Sequence, residues 1–169
     1  MDEQQLPAMP NPFTHSMKYG LVLGVCFGVA FILSAIGITG LGVLSWLIQI
    51  STLYLVWLFT RNYRETECGG TMRFMQAWSY VLLLFFFAAL VGGIIKFFYL
   101  QYLAPGYLGE TLSQSLLLLE QMQIEFSSEQ IDLLQSMMTP INYVFQAIMG
   151  DCFLGLFLGL FYGLILKKK

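Results

Sequence analysis

The chain has 169 residues, 57% hydrophobic, 16% aromatic and only 11% charged, with a mean hydropathy of +0.71. Soluble domains carry about 25% charged residues, so this chain lacks the polar residues to clothe a water-facing surface. That excludes a soluble globular enzyme, a disordered tail, a collagen-like fibre and a nucleic-acid binder, and points to an integral membrane protein. The net charge of −2 is too small to select a partner.

Residues 1–16 are polar and hold Pro7, Pro10 and Pro12. They read as a flexible cytoplasmic tail, with residues 17–169 forming one transmembrane domain. The first apolar segment is too long for a signal-peptide core and reads as a retained helix. No charge occurs from Tyr19 to Thr60. A single crossing needs about 20 residues, so this run holds two helices, about 17–36 and 41–60. The glycines of the 37–42 segment mark the turn between them. A charged loop with a Gly69-Gly70 turn follows. A third helix is expected over 74–103, stopped by Pro105-Gly106.

Residues 107–139 are polar enough to leave the membrane. Leu108, Leu112, Leu116, Leu119, Met122 and Phe126 share one helical face, and Ser127 to Gln130 reads as a capping box. The segment is therefore an amphipathic helical hairpin, resting on the bilayer or on its own bundle. Thr139-Pro140 supplies an N-cap and first-turn pair for a fourth helix over 140–166. The expected fold is all-α, with four transmembrane helices and a hairpin between the third and fourth.

Seven of the eight cations, Lys18, Arg61, Arg64, Arg73 and Lys167 to Lys169, flank one side of the predicted spans. The hairpin has only acids. Cationic loops stay cytoplasmic, so both termini are expected inside and 107–139 in the periplasm. Trp57, Tyr63, Trp78 and Tyr162 then fall near the inner interface.

Two glycine stripes stand out: Gly20, Gly24 and Gly28 on the first helix, and Gly155, Gly159 and Gly163 on the fourth. Such spacing permits close helix approach in lipid. The stripes overlap in depth, so an antiparallel contact between the first and fourth helices is expected, with a homo-oligomer through either stripe as its rival. Lys96 and Asp151 are intramembrane charges. An isolated buried charge is costly, so the two are expected to pair, against the alternative that Lys96 snorkels. Gln49, Asn142 and Gln146 read as interhelical hydrogen-bonding groups.

Catalytic signals are sparse. The single histidine, His15, falls in the predicted tail, and neither a P-loop, a dinucleotide fingerprint nor HExxH occurs. Cys26, Cys68 and Cys152 have neither disulfide nor zinc spacing. No catalytic residue, cofactor or metal is expected.

Tyr63-Arg64, Gly69-Gly70, Met72, Phe74, Gln76 to Tyr80, Phe98-Tyr99 and Ala104 to Leu108 together resemble the domain-of-unknown-function family 4199. The resemblance runs from about Ser16 to Lys167. It implies a small four-helix inner-membrane protein of Bacteroidetes-type bacteria, with no established activity and hence no catalytic residue to carry over. Such proteins are often encoded near enzymes that build polyprenyl-phosphate sugars, which implies an envelope role. The expected function is a non-catalytic protein that binds or organises a membrane partner. The alternative is a subunit of a small transporter or channel.

Overall fold

The computed structural model describes residues 11–122 and 127–166. Residues 1–10 of the expected tail, Glu125 and Phe126 of the hairpin, and Lys167 to Lys169 lie outside these. The described residues form six α-helices in order: α1 (Pro12–Ala35), α2 (Thr39–Thr66), α3 (Phe74–Phe98), α4 (Tyr107–Gln121), α5 (Ser128–Met137) and α6 (Pro140–Leu166). A π-helical turn, Tyr99–Leu103, extends α3. Among the described residues four segments are long and apolar enough to cross a membrane: Pro12–Ala35, Gly40–Thr66, Phe74–Leu103 and Pro140–Leu166. The protein is an all-α, multi-pass membrane protein.

Two helices are longer than expected. Pro12 opens α1 rather than loosening a tail: the Asn11 side chain accepts from the Phe13 amide at 3.1 Å, and a proline at the first helical position costs no hydrogen bond. Residues 12–16 are therefore helix. At the other boundary, α2 continues through Thr66, because Arg61 and Glu65 pair one turn apart at 2.9 Å. The turn between α1 and α2 needs only one left-handed residue, Gly37 at φ +76°. Gly40 and Gly42 lie inside α2. Gly69 and Gly70, at φ +62° and +83°, turn the chain into α3.

The centre of the bundle is α3. It packs along its whole length on α1 at one side and on α6 at the other, while α1 and α6 scarcely meet. The expected contact between the two glycine stripes is therefore absent: each stripe docks on α3 instead. A Cβ on Gly24 would lie 2.6 Å from the Ala88 carbonyl oxygen, and one on Gly159 would lie 2.7 Å from Trp78 Cδ1. On α3 Ala88, Ala89, Gly92 and Gly93 are all buried, Gly92 against Gly24 and Gly28 of α1 and Gly93 against Val144 and Ile148 of α6, while the α6 stripe itself seats aromatic side chains of α3, Phe85, Trp78 and Phe74. Adjacent small pairs point to two faces of a helix, one for each neighbour.

The remaining spanning helix, α2, is attached differently. α2 packs well on α1, yet meets α3 and α6 only sparsely. Ser45 anchors it, donating to the Ala30 carbonyl at 2.7 Å.

Burial falls into two cores. The larger centres on Leu23, Val56, Tyr80, Leu84 and Phe85, toward the end that holds Arg61, Arg64 and Arg73. The smaller joins Leu100, Leu108 and Val144 under an aromatic cap of Phe31, Tyr99, Tyr107 and Tyr143 at the hairpin end. Of the predicted face of α4, Leu108 and Leu112 are buried and Leu116 and Leu119 half-buried, but Met122 is exposed. α5 opens with the expected capping box, Ser127 Oγ accepting from the Gln130 amide at 3.3 Å and Gln130 Oε1 accepting from the Ser127 amide at 3.0 Å. It buries no residue.

Candidate functional site

The gap that α2 leaves beside α3 and α6 is a cavity of about 510 Å³. Its depth follows from the helices around it. Phe27 and Phe85, from α1 and α3, form the back wall. Ile50 and Leu53 of α2 and Leu154 and Leu158 of α6 form the sides, and Ile50, Leu53 and Leu154 are exposed, so the mouth opens on the lateral surface of the bundle. On the cationic side a strut closes it: Tyr162 Oη of α6 donates to the Leu53 carbonyl of α2 at 2.8 Å. The aromatic cap around Phe31 bounds it on the hairpin side.

Lys96 and Asp151 both line this cavity. Lys96 Nζ stands 3.4 Å from Asp151 Oδ2, with side chains 11% and 23% exposed. The Lys96 ammonium also sits 5.9 Å from the Phe31 ring centroid, a favourable placement over a π face. Opposed helix directions bring the two groups together: side chains lean toward their own N-terminus, so Lys96 on α3 and Asp151 on α6 lean toward one another. Among the described residues each is the other's only polar contact. That leaves Asp151 Oδ1 and two Lys96 N–H bonds open to the cavity.

Other polar groups depart from expectation. Gln49 lines the cavity from α2 and makes no side-chain hydrogen bond among the described residues. Asn142 caps locally, donating to the Met137 carbonyl at 3.3 Å. Among the described residues neither Asn142 nor Gln146 bridges spanning helices. Such bridges come instead from Ser45 and from two residues expected at the inner interface, Tyr162 and Trp78, whose indole donates to the Leu156 carbonyl at 3.2 Å. Trp78 thus works between α3 and α6 rather than as an interfacial anchor.

His15 is the largest departure. Because α1 starts at Pro12, the imidazole enters the cationic end of the bundle, with Nδ1 2.8 Å from Tyr80 Oη. It lies among Tyr19, Tyr63 and Tyr80, and Tyr63 stacks on Tyr80 at 4.3 Å. Nearby, Asn62 Nδ2 donates to Tyr19 Oη at 3.0 Å, tying α2 to α1. Burial pushes the Cys68 thiol up from its ordinary pKa, which makes this loop cysteine a poor nucleophile. Among the described residues no group of three or more His, Cys, Asp or Glu side chains could hold a metal ion.

No curated protein and no solved structure matches the chain. One family model does, described as a protein of unknown function, DUF4199, over residues 18–168. With nearly the whole chain matched, from α1 through α6, this protein belongs to the DUF4199 family.

Proposed function

We propose that this is a non-catalytic protein of a bacterial inner membrane that holds a partner embedded in the same bilayer, in the service of envelope biogenesis. Both termini and the Arg61–Arg73 segment face the cytoplasm, and the α4–α5 hairpin faces the periplasm. The orientation rests on the cation bias across the spans.

The observation that carries the binding reading is the crevice itself. α2 is held by α1, by the Tyr162–Leu53 strut and, at the cationic end, by the Tyr63–Tyr80 stack and the Arg64–Leu166 bond; toward the hairpin end it stands off α3 and α6. A bundle able to close over its own core has no need of such a gap, since empty space forfeits packing energy. An occupant from the bilayer fills it. The non-catalytic character is supported by the chemistry of the lining: its ionisable groups are Lys96 and Asp151, held as one ion pair, with no second carboxylate, histidine or thiol among the lining residues to act as partner base or nucleophile.

A second reading, the transport or channel subunit, draws on the same ion pair inside a cavity. The lining counts against it. On the cationic side it stops at Phe27, Leu53, Phe85 and Leu158, short of Arg61 and Arg73, so the cavity does not run through the bundle.

The test is isolation in mild detergent with native mass measurement. A stoichiometric added mass is expected on the wild-type chain and lost from Leu154→Trp, which fills the mouth from an exposed position. A wild-type chain of bare polypeptide mass overturns the reading.

A further inference from the structure

The crevice selects among membrane occupants by its size and by the order of polarity along it. The cavity of about 510 Å³ falls within the usual range of small-molecule sites. It takes the polar end and part of one chain of an amphiphile whose remainder lies in the bilayer.

Polarity is graded. Nearest the hairpin end stand Ser34, Lys96 and Asp151, with Gln49 of α2 also on the wall. Farther in, the walls are Leu53, Phe85 and Leu158. Lys96 lies about 10 Å from Leu103 at 1.5 Å per residue, close beneath headgroup level, so a lipid from the hairpin-side leaflet would meet these groups in the order head, ester, chain.

The charges then fix the head. An anionic lipid would pair with Lys96 and press its phosphate against Asp151, 3.4 Å from the ammonium. A cationic amphiphile would do the reverse. An uncharged one, whose hydroxyl can donate one neutral hydrogen bond to Asp151 Oδ1, would give Lys96 no anionic acceptor and Asp151 no cationic donor. A zwitterion alone completes both groups without leaving a net buried charge.

We infer that the crevice between α2, α3 and α6 is a binding site for one zwitterionic glycerophospholipid. Its ammonium meets Asp151 Oδ1, its phosphate accepts from Lys96, Gln49 donates to an ester carbonyl, and a chain lies against Leu53, Phe85 and Leu158. This rests on the partner-binding reading and names its partner.

The experiment uses the full chain in mild detergent, with phosphatidylethanolamine, phosphatidylglycerol and diacylglycerol of identical chains added separately and bound lipid counted by native mass measurement. One phosphatidylethanolamine should bind, with an apparent affinity roughly tenfold or more above either competitor, the worth of one charge-assisted hydrogen bond. The double variant Lys96→Met with Asp151→Leu should bring the three lipids to parity. Equal or tighter binding of phosphatidylglycerol overturns the inference, as does a preference that survives in the double variant. A bound polypeptide in place of lipid also overturns it but leaves the partner-binding reading standing. Absence of any bound species defeats both. The wild-type lipid series decides the matter even if the double variant does not fold.

Discussion

The most discriminating perturbation of this architecture is a pair of methyl groups. In Gly24→Ala the new Cβ would lie 2.6 Å from the Ala88 carbonyl oxygen and 2.6 Å from Val91 Cβ. Ordinary contact begins near 3.4 Å, so α1 and α3 must separate by several tenths of an ångström, and the oxygen belongs to backbone that cannot swing away. Overpacking of this kind costs about 1–3 kcal/mol. In Gly159→Ala the clash is with Trp78 on a different face of α3, with a cost in the same range. Gly150→Ala is the control. It sits in α6 with nothing within 4 Å of its Cβ and should gain up to about 1 kcal/mol of helix propensity. Reversible unfolding in mixed micelles, followed by circular dichroism, measures all three. The double variant of Gly24 and Gly159 then separates two architectures. With both stripes docked on α3 but on different residues, the two losses should add to within about 0.5 kcal/mol. A direct contact between the stripes would give coupling of about 0.5–3 kcal/mol. Coupling above about 1 kcal/mol, or a Gly24→Ala variant as stable as Gly150→Ala, would refute the α3-centred packing.

Lys96→Met should destabilise the bundle by up to about 3–5 kcal/mol, because it strands Asp151, while Lys96→Met with Asp151→Leu should recover most of that loss; thermal midpoints in detergent check it, as does the swap of Lys96→Asp with Asp151→Lys. In a cysteine-free background, Ser115→Cys should react with an impermeant maleimide in intact spheroplasts, and Thr66→Cys should not; the opposite pattern would reverse the assigned orientation. Tyr80→Phe should cost about 1 kcal/mol through loss of the bond to His15, read from the same unfolding assay. Gly70→Ala should cost about 1–2 kcal/mol despite open space around it, because φ +83° is left-handed.

Some features can be read from local residue chemistry. Spans follow from uncharged runs, the α4–α5 boundary from a capping box, and the start of α6 from Thr139-Pro140, since each depends on a few adjacent residues. The helix ends that fail are those decided by contacts beyond the local window. Pro12 looks like a tail residue until Asn11 caps it and His15 finds Tyr80, and Arg61 to Thr66 look like loop until the helix continues beneath them. For the same reason His15 gave no sign of its aromatic surroundings: its three tyrosine neighbours come from three different helices.

Helix neighbours were harder to read than helix positions. Glycine stripes on two helices show that something approaches each closely, but depth alone does not say what. The missing signal lay on α3, where Ala88-Ala89 and Gly92-Gly93 place small residues on two faces at once. A helix with two small faces belongs between two partners, and this α3 does. That arrangement leaves α2 on the outer side of α1, reaching α6 through the Tyr162–Leu53 strut and, at the cationic end, through Arg64, which donates to the Leu166 carbonyl at 3.4 Å. The crevice is thus a consequence of the packing order: once α3 is spent on α1 and α6, the face of α2 bearing Gln49 and Leu53 has no helix to cover it. Lys96 and Asp151 stand where that uncovered face looks inward. In a membrane a charge is tolerated where it is paired or reached by polar groups, and here one partner is the opposite charge and the other is whatever enters the gap.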